Sequence, residues 1–295
     1  MCAPGVIQGL RKSLVRSTAK FLWATPLLLF AGDACAWGLY THVYFTQLLI
    51  WLIPVADPRF RGAITRFPEL CLAATCLPDV ALFSKAMRSP VLGTTHQWSS
   101  VMSLLRNATD DRERAMATGY ACHLMTDIVA HNHFVPAHED IWFRGRMLTH
   151  ASAEWAMDAH VARHLFVQPA DLIAEHGEEL IDYASRRLHF VPDVGRRALG
   201  YLHRGESGLR RSGLHNMIYR ASRRADRAVT ARFNHYVRET SERLRQIDRL
   251  IHGEVPAWLP EPELRSPALE SPRGSRHQQY LALLPRDFFR DVGSR

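Results

Sequence analysis

The sequence predicts an all-α fold, a single helical domain running from about residue 37 to residue 252. Three observations carry this prediction. Apolar residues recur at helical spacing along most of the chain. No stretch alternates apolar and polar residues for long enough to make a half-buried strand. The composition, 47% hydrophobic and 22% charged over 295 residues, is that of a globular protein and excludes a mostly disordered or fibrous chain. That length allows one large domain or two small ones, and no internal repeat divides it.

Taken in order, the first element is an export signal over residues 1–36. Arg11, Lys12, Arg16 and Lys20 form its basic region, and Phe21 to Gly32 supply twelve mostly apolar residues. Ala34-Cys35-Ala36 then offers a small-x-small cleavage site. An uncleaved anchor is the competing reading, but twelve residues fall short of the ~20 that span a bilayer. Cleavage after Ala36 removes four bases and Asp33, which lowers the net charge from +8 to +5. That excess is mild, and no Lys/Arg run is dense enough to argue for nucleic acid.

Residues 41–54 are apolar on most sides, which suits a buried helix ending at Pro54. Residues 113–134, His150–Phe166 and Ala170–Leu188 read as further helices. Ala225–Ile251 has the clearest amphipathic pattern, with Val229, Phe233, Tyr236, Leu244 and Ile247 on one face. Residues 253–295 are expected to form a poorly ordered tail, because five prolines fall between Glu254 and Arg276. Cys71, Cys76 and Cys122 remain in the mature chain. Cys71 and Cys76 either pair in an oxidising compartment or serve as buried thiols, and the sequence leaves both open.

Chemistry concentrates in the first half. Seven of the sixteen histidines fall between His123 and His164. On a helix, His123, Asp127 and His131 lie at i, i+4 and i+8 and share one face. Imidazole nitrogen and carboxylate oxygen are donors that zinc accepts, and a carboxylate can bridge two ions. A core hydrogen-bond network is the bland alternative, weakened by three such residues standing in one stripe. His150 and Glu154 repeat the i, i+4 spacing, and Asp158, His160 and His164 follow as ligands, supports or solvated residues. Asp79 after Leu77-Pro78, His96 and His42 are candidates from loops and helix starts, each more often a surface or cap residue when taken alone.

The order of these residues resembles the zinc-dependent phospholipase C family. It begins with Trp37 at the predicted cut and His42 nearby, then Asp79, His96 and His123/Asp127. His131 or His133 follows, and His150/Glu154 closes the series. The run from His123 to Pro136 is especially similar to bacterial members, and the resemblance covers roughly residues 37–160. It implies an all-α bundle holding up to three zinc ions. Asp79, His96, His123 and Asp127 would hold one ion. The α-amine and carbonyl of Trp37, with His42 and a bridging Asp127, would hold its neighbour. The third would take His150, Glu154 and either His131 or His133. Many members place that last histidine six residues after the aspartate, behind a proline, which matches His133. Relatives similar to the glycosylphosphatidylinositol-specific phospholipase D place it four residues after, which matches His131. The absence of a proline in this helix favours His131.

The activity this resemblance implies is phosphodiester hydrolysis by a zinc-bound water, with Asp79 orienting or deprotonating that water. A phospholipid would yield diacylglycerol and a phosphorylated head group. Trp37 could ligate through its amine only after cleavage, so competence would arise outside the cytoplasm, in a periplasm or after secretion. Two other classes stay open. A related single-strand nuclease shares the Trp37-to-His42 spacing but usually ends its ligand set in His-x-x-x-Asp, which makes nucleic acid the weaker partner. A binding protein retaining the zinc scaffold without turnover is the other. Peripheral contact with an anionic membrane is compatible with the +5 charge and the Arg-rich later helices, although a solvated face also explains those arginines. Oligomeric state is not legible.

Overall fold

The computed structural model describes residues 38–139, 142, 146–261 and 284–290. The export segment and Trp37 lie outside the described residues. Among those described there is no strand, and the chain is an assembly of helices. The first is α1 (Leu39–Trp51), followed by α2 (Pro58–Arg66), α3 (Pro68–Ala74), α4 (Trp98–Asn107) and α5 (Asp111–Val129). Short 3₁₀ turns at Pro78–Phe83 and Pro90–Thr94 fill the link between α3 and α4.

Helix α5 is the axis of the fold. From Ala115 to Ala130 it is buried on every side, with α1, α2, α3, α4 and α11 (Val229–Leu244) packed around it. Its start follows from its sequence. The Asp110 carboxylate accepts from the Glu113 backbone N–H at 2.9 Å, and the Glu113 carboxylate accepts from the Thr109 N–H at 3.0 Å. This reciprocal arrangement resembles a capping box and satisfies donors the first turn would otherwise leave bare.

The approach of α3 to α5 is set by a glycine. A Cβ at Gly119 would stand 1.9 Å from the Cys71 carbonyl oxygen, which is backbone and cannot turn aside. Gly119→Ala is therefore expected to destabilise the protein by about 3 kcal/mol through overpacking, read as a lower urea midpoint. An unchanged midpoint would show that the two helices can separate freely.

After α5 the chain makes a π-helical turn at Ala130–Phe134 and continues in α6 (Val135–Glu139). Next come α7 (Arg146–Val161), α8 (Pro169–Leu188), α9 (Pro192–Ser212) and α10 (Leu214–Ala225). Helices α8 and α9 pair through a short link in which His189 ends α8 in the left-handed conformation, φ 59°. The amphipathic stretch expected over Ala225–Ile251 is not one helix. It breaks after α10, runs as α11 and ends in α12 (Ile247–Ile251). The reason for the first break is local. Asp226 fixes a turn ahead of α11, its carboxylate accepting from the Ala228 N–H at 3.0 Å while pairing with buried Arg232.

Of the stretch expected to form a tail, residues 253–261 and 284–290 are described, and parts of them pack on the helical body. Leu284 and Phe288 are buried. The Arg243 guanidinium donates to the carbonyls of Leu284 and Pro285, at 3.0 Å each. Nearer the domain, the Trp98 indole N–H donates to the Trp258 carbonyl at 2.8 Å. All three described cysteines are free, buried thiols. No described helix is long and apolar enough to cross a membrane.

Candidate metal centre

Five of the expected residues meet beside the buried face of α5. His42 comes from the first turns of α1, Asp79 from the 3₁₀ turn after Pro78, and His96 from the link before α4. His123 and Asp127 come from α5 itself. The Asp127 side chain is wholly buried, and its two oxygens face different partners. Oδ1 lies 3.3 Å from His42 Nε2. Oδ2 lies 3.1 Å from His123 Nε2 and 3.5 Å from His96 Nε2. Asp79 Oδ1 closes the group at 3.5 Å from His123 Nε2 and 3.7 Å from His96 Nε2.

The protons on these rings can be placed from their other contacts. His123 Nδ1 lies 2.7 Å from the Thr75 carbonyl, which can only accept, so Nδ1 carries the proton and Nε2 presents a lone pair. Thr126 spends its hydroxyl proton on the His123 carbonyl at 2.8 Å. His42 Nδ1–H therefore donates to Thr126 Oγ1 at 3.0 Å, and His42 Nε2 also turns a lone pair inward. These imidazole lone pairs converge on carboxylate oxygens, and neither oxygen of Asp127 has a hydrogen bond among the described residues. Lone pairs facing lone pairs at this separation need a cation, or added protons, between them.

The separations suit a cation. Donor atoms about 2.1 Å from a tetrahedral zinc ion stand roughly 3.4 Å apart, which is the spacing seen here. The Thr75 and Thr126 contacts are the outer supports that orient metal-bound histidines in proteins. Around this cluster, His42 and His123 stack with ring centroids 3.6 Å apart. Two groups able to hold a metal overlap here, His42/Asp79/His123 and His96/His123/Asp127, while the two oxygens of Asp127 face His42 on one side and His96 and His123 on the other.

A second group forms where α5 gives way to the π-helical turn. His131, His150 and Glu154 can place one donor atom each within 4.8 Å of one another. His150 Nε2 lies 2.8 Å from Glu154 Oε1, and the His131 and His150 rings are 5.5 Å apart. His133 goes elsewhere. Its ring lies against Trp258, 5.3 Å between centroids, and it does not join this group. A straight helix would keep His131 on the face of His123 and Asp127; the π-helical turn begins at Ala130, where that register ends.

The neighbouring histidines show what ordinary core roles look like. His138 donates to the Phe134 carbonyl and accepts from Arg232, and His160 is held between Tyr219 and Asn234. Sequence reading missed Glu206 of α9, a buried carboxyl that senses the charges of Asp158 and Asp79. No spacing signal tied it to the cluster. Thr75 was equally hidden, because it acts through its backbone.

Burial dominates the titration of these groups when no cation is present. It pushes Asp79 up to about 8, Asp158 to about 7 and Glu206 to about 8, and it raises Asp127 as well. It lowers His96, His123 and His131, and brings His133 to about 4. A carboxyl with a raised value stabilises the fold fully below its unfolded value near 4 and loses that contribution as pH rises toward 8. The histidines act oppositely, but their contribution is complete by about pH 6.5. Zinc-free protein is therefore expected to melt at progressively lower temperature from pH 6.5 to 8. Added zinc should abolish that slope, because ligation requires the ionised carboxylates. Calorimetry with and without chelator checks this, and a melting temperature rising over that window without metal would contradict it.

Among the described residues, a body without strands encloses buried His, Asp and Glu groups able to hold metal ions, which is the arrangement of a metal-dependent, all-helical protein class. Comparison with known families agrees. Residues 41–205, more than half of the chain, match the family described as zinc dependent phospholipase C, and the chain belongs to that family. No curated protein and no solved structure matches it.

Proposed function

We propose that this protein is an exported zinc-dependent phosphodiesterase of the phospholipase C kind, acting on phospholipid after cleavage at Ala36. The observation that carries the reading is the division of Asp127. One oxygen faces His42 and the other faces His96 and His123, as a carboxylate bridging two ions requires. Membership of a hydrolase family of that description supports the same reaction class.

Within this reading, Asp79, His96, His123 and Asp127 hold one ion. His42, Asp127 and the amino-terminal Trp37 hold its neighbour, and His131, His150 and Glu154 hold the third. Bound zinc lowers the pKa of water and neutralises charge developing on phosphoryl oxygens. Asp79 orients the attacking water and accepts its proton as a carboxylate. Asp127, fixed in the rigid middle of α5, keeps the two donor sets in register. His131, His150 and Glu154 would hold the ion that stabilises the departing alkoxide. A patch at the far end of α1 suits contact with lipid. Trp51 and Phe166 meet edge to face at 5.4 Å and, with Leu52, are exposed, and such aromatic side chains favour membrane interfaces.

The test is zinc per chain by elemental mass spectrometry on protein whose amino terminus is confirmed as Trp37, followed by assays on phosphatidylcholine and single-stranded DNA. Two to three zincs with diacylglycerol release support the reading. Zinc with DNA cleavage alone would transfer it to the nuclease class. Sub-stoichiometric zinc would leave a binding protein on an inherited scaffold.

A further inference from the structure

The positive charge of the chain is concentrated in one place. Residues 196–227 carry nine arginines against Glu206 and Asp226, a net +7 beside the +8 of the whole sequence. Folding takes both acids away from the surface. Glu206 is buried in α9, and Asp226 is half-buried and paired with Arg232. All nine arginines are exposed. Within this stretch the outer face of α9 and α10 therefore presents cations with no exposed acid between them.

The arginines are ordered along the helices. On α9, Arg197, Tyr201, Arg204, Gly208 and Arg211 recur at steps of four and three, which makes one stripe, and each of them is exposed. On α10, Met217, Arg220, Ala221 and Arg224 make a second exposed stripe. The chain turns between the two helices at Gly213, φ 67°. Arg196 pairs with Glu178 and Asp193, and Arg210 lies 3.9 Å from Asp171. The stripe arginines have no acidic partner among the described residues, and Arg204 instead stands 4.6 Å over the Tyr201 ring.

Both helices border the metal centre. The Tyr201 ring lies 5.7 Å from that of Phe83, which ends the 3₁₀ turn carrying Asp79. His215, in the first turn of α10, stacks on Tyr40 at 6.0 Å, two residues ahead of His42. An anionic surface held by these helices would thus lie beside the donors. Cations interleaved with exposed Tyr201 and Met217 suit the boundary between lipid head groups and acyl chains. A single nucleic-acid strand would need free aromatic faces for its bases, and Arg204 and Phe83 already lie against the Tyr201 ring.

We propose that the exposed face of α9 and α10 is the surface by which this protein docks on bilayers of anionic phospholipid. The choice of lipid as the partner rests on the phospholipase reading above. The apolar patch of Trp51 and Phe166 is independent of charge, so arginine variants separate the two contributions.

The experiment is co-sedimentation of zinc-loaded protein, its amino terminus confirmed as Trp37, with vesicles of phosphatidylcholine alone and of phosphatidylcholine mixed with phosphatidylglycerol. Turnover of a short-chain phosphatidylcholine in monomeric solution is followed alongside. Each arginine near an anionic bilayer is worth about fivefold in binding. Native protein should therefore prefer the phosphatidylglycerol vesicles by at least about tenfold and lose that preference as salt is raised. Arg204→Gln, Arg211→Gln, Arg220→Gln and Arg224→Gln together should erase the preference while short-chain turnover stays unchanged. Should that variant fail to fold, the α9 pair and the α10 pair are changed separately, and loss of preference in either supports the proposal. Equal native binding to both vesicles, or undiminished preference in the variants, would overturn it. Binding to single-stranded DNA with none to vesicles would overturn it in favour of nucleic acid. Arginine-dependent vesicle binding without turnover of any lipid would support the surface and overturn the phospholipase reading alone.

Discussion

Asp127→Asn is expected to remove two metal ions and catalysis together while the helical fold survives. The amide cannot supply two anionic oxygens, so His42 loses its shared partner on one side while His96 and His123 lose theirs on the other. Losing the charge stabilisation that a metal pair provides is worth several kcal/mol, about a thousandfold or more in rate. The fold should tolerate the change because asparagine is isosteric and the apolar packing of α5 is untouched. In zinc-free protein the variant should even melt higher at pH 8, since it removes a buried carboxyl with a raised pKa. Elemental analysis, turnover of phosphatidylcholine and circular dichroism together test this. A variant with full zinc and full activity would sink the bridging role.

The second large effect separates two histidines that lie two residues apart. His131→Ala and Glu154→Gln should each cost one zinc and on the order of a hundredfold in rate, as removal of a single charge-stabilising group does. His133→Ala should leave the zinc count intact, because its ring packs on Trp258 and stays outside the group formed by His131, His150 and Glu154. The reverse pattern, zinc lost with His133 and kept without His131, would mean that the chain rearranges around bound metal to recruit the other histidine.

That choice shows where sequence reading stops. Spacing placed His123, Asp127 and His131 on one helical face, and the first two do meet there. A helical turn has only a few candidate neighbours, so i, i+4 pairs such as His123/Asp127 and His150/Glu154 are legible in one dimension. His131 and His133 both remained open, because the choice depends on the π-helical turn from Ala130 and on Trp258, more than 120 residues away. Helices α1, α5, α7 and α8 were legible from their apolar runs, whereas α2, α3, α4, α9 and α10 were not singled out. A continuous amphipathic pattern over Ala225–Ile251 concealed two breaks, the first of them at the turn that Asp226 and its contacts hold.

The sequence by itself determined the helical class and offered the candidate donor residues in their order along the chain. These follow from side-chain chemistry and from periodicities only a few residues long. Tertiary structure alone decided which donors converge. His42, Asp79 and His96 come from three separate segments, and only the packing of those segments around α5 brings them to His123 and Asp127. The outer partners, Thr75 through its carbonyl and Asp158 through its hold on Thr41, lie 48 and 117 residues from the groups they bind. Hydrogen bonds between backbone and distant side chains leave no local pattern, so only the folded chain could reveal them.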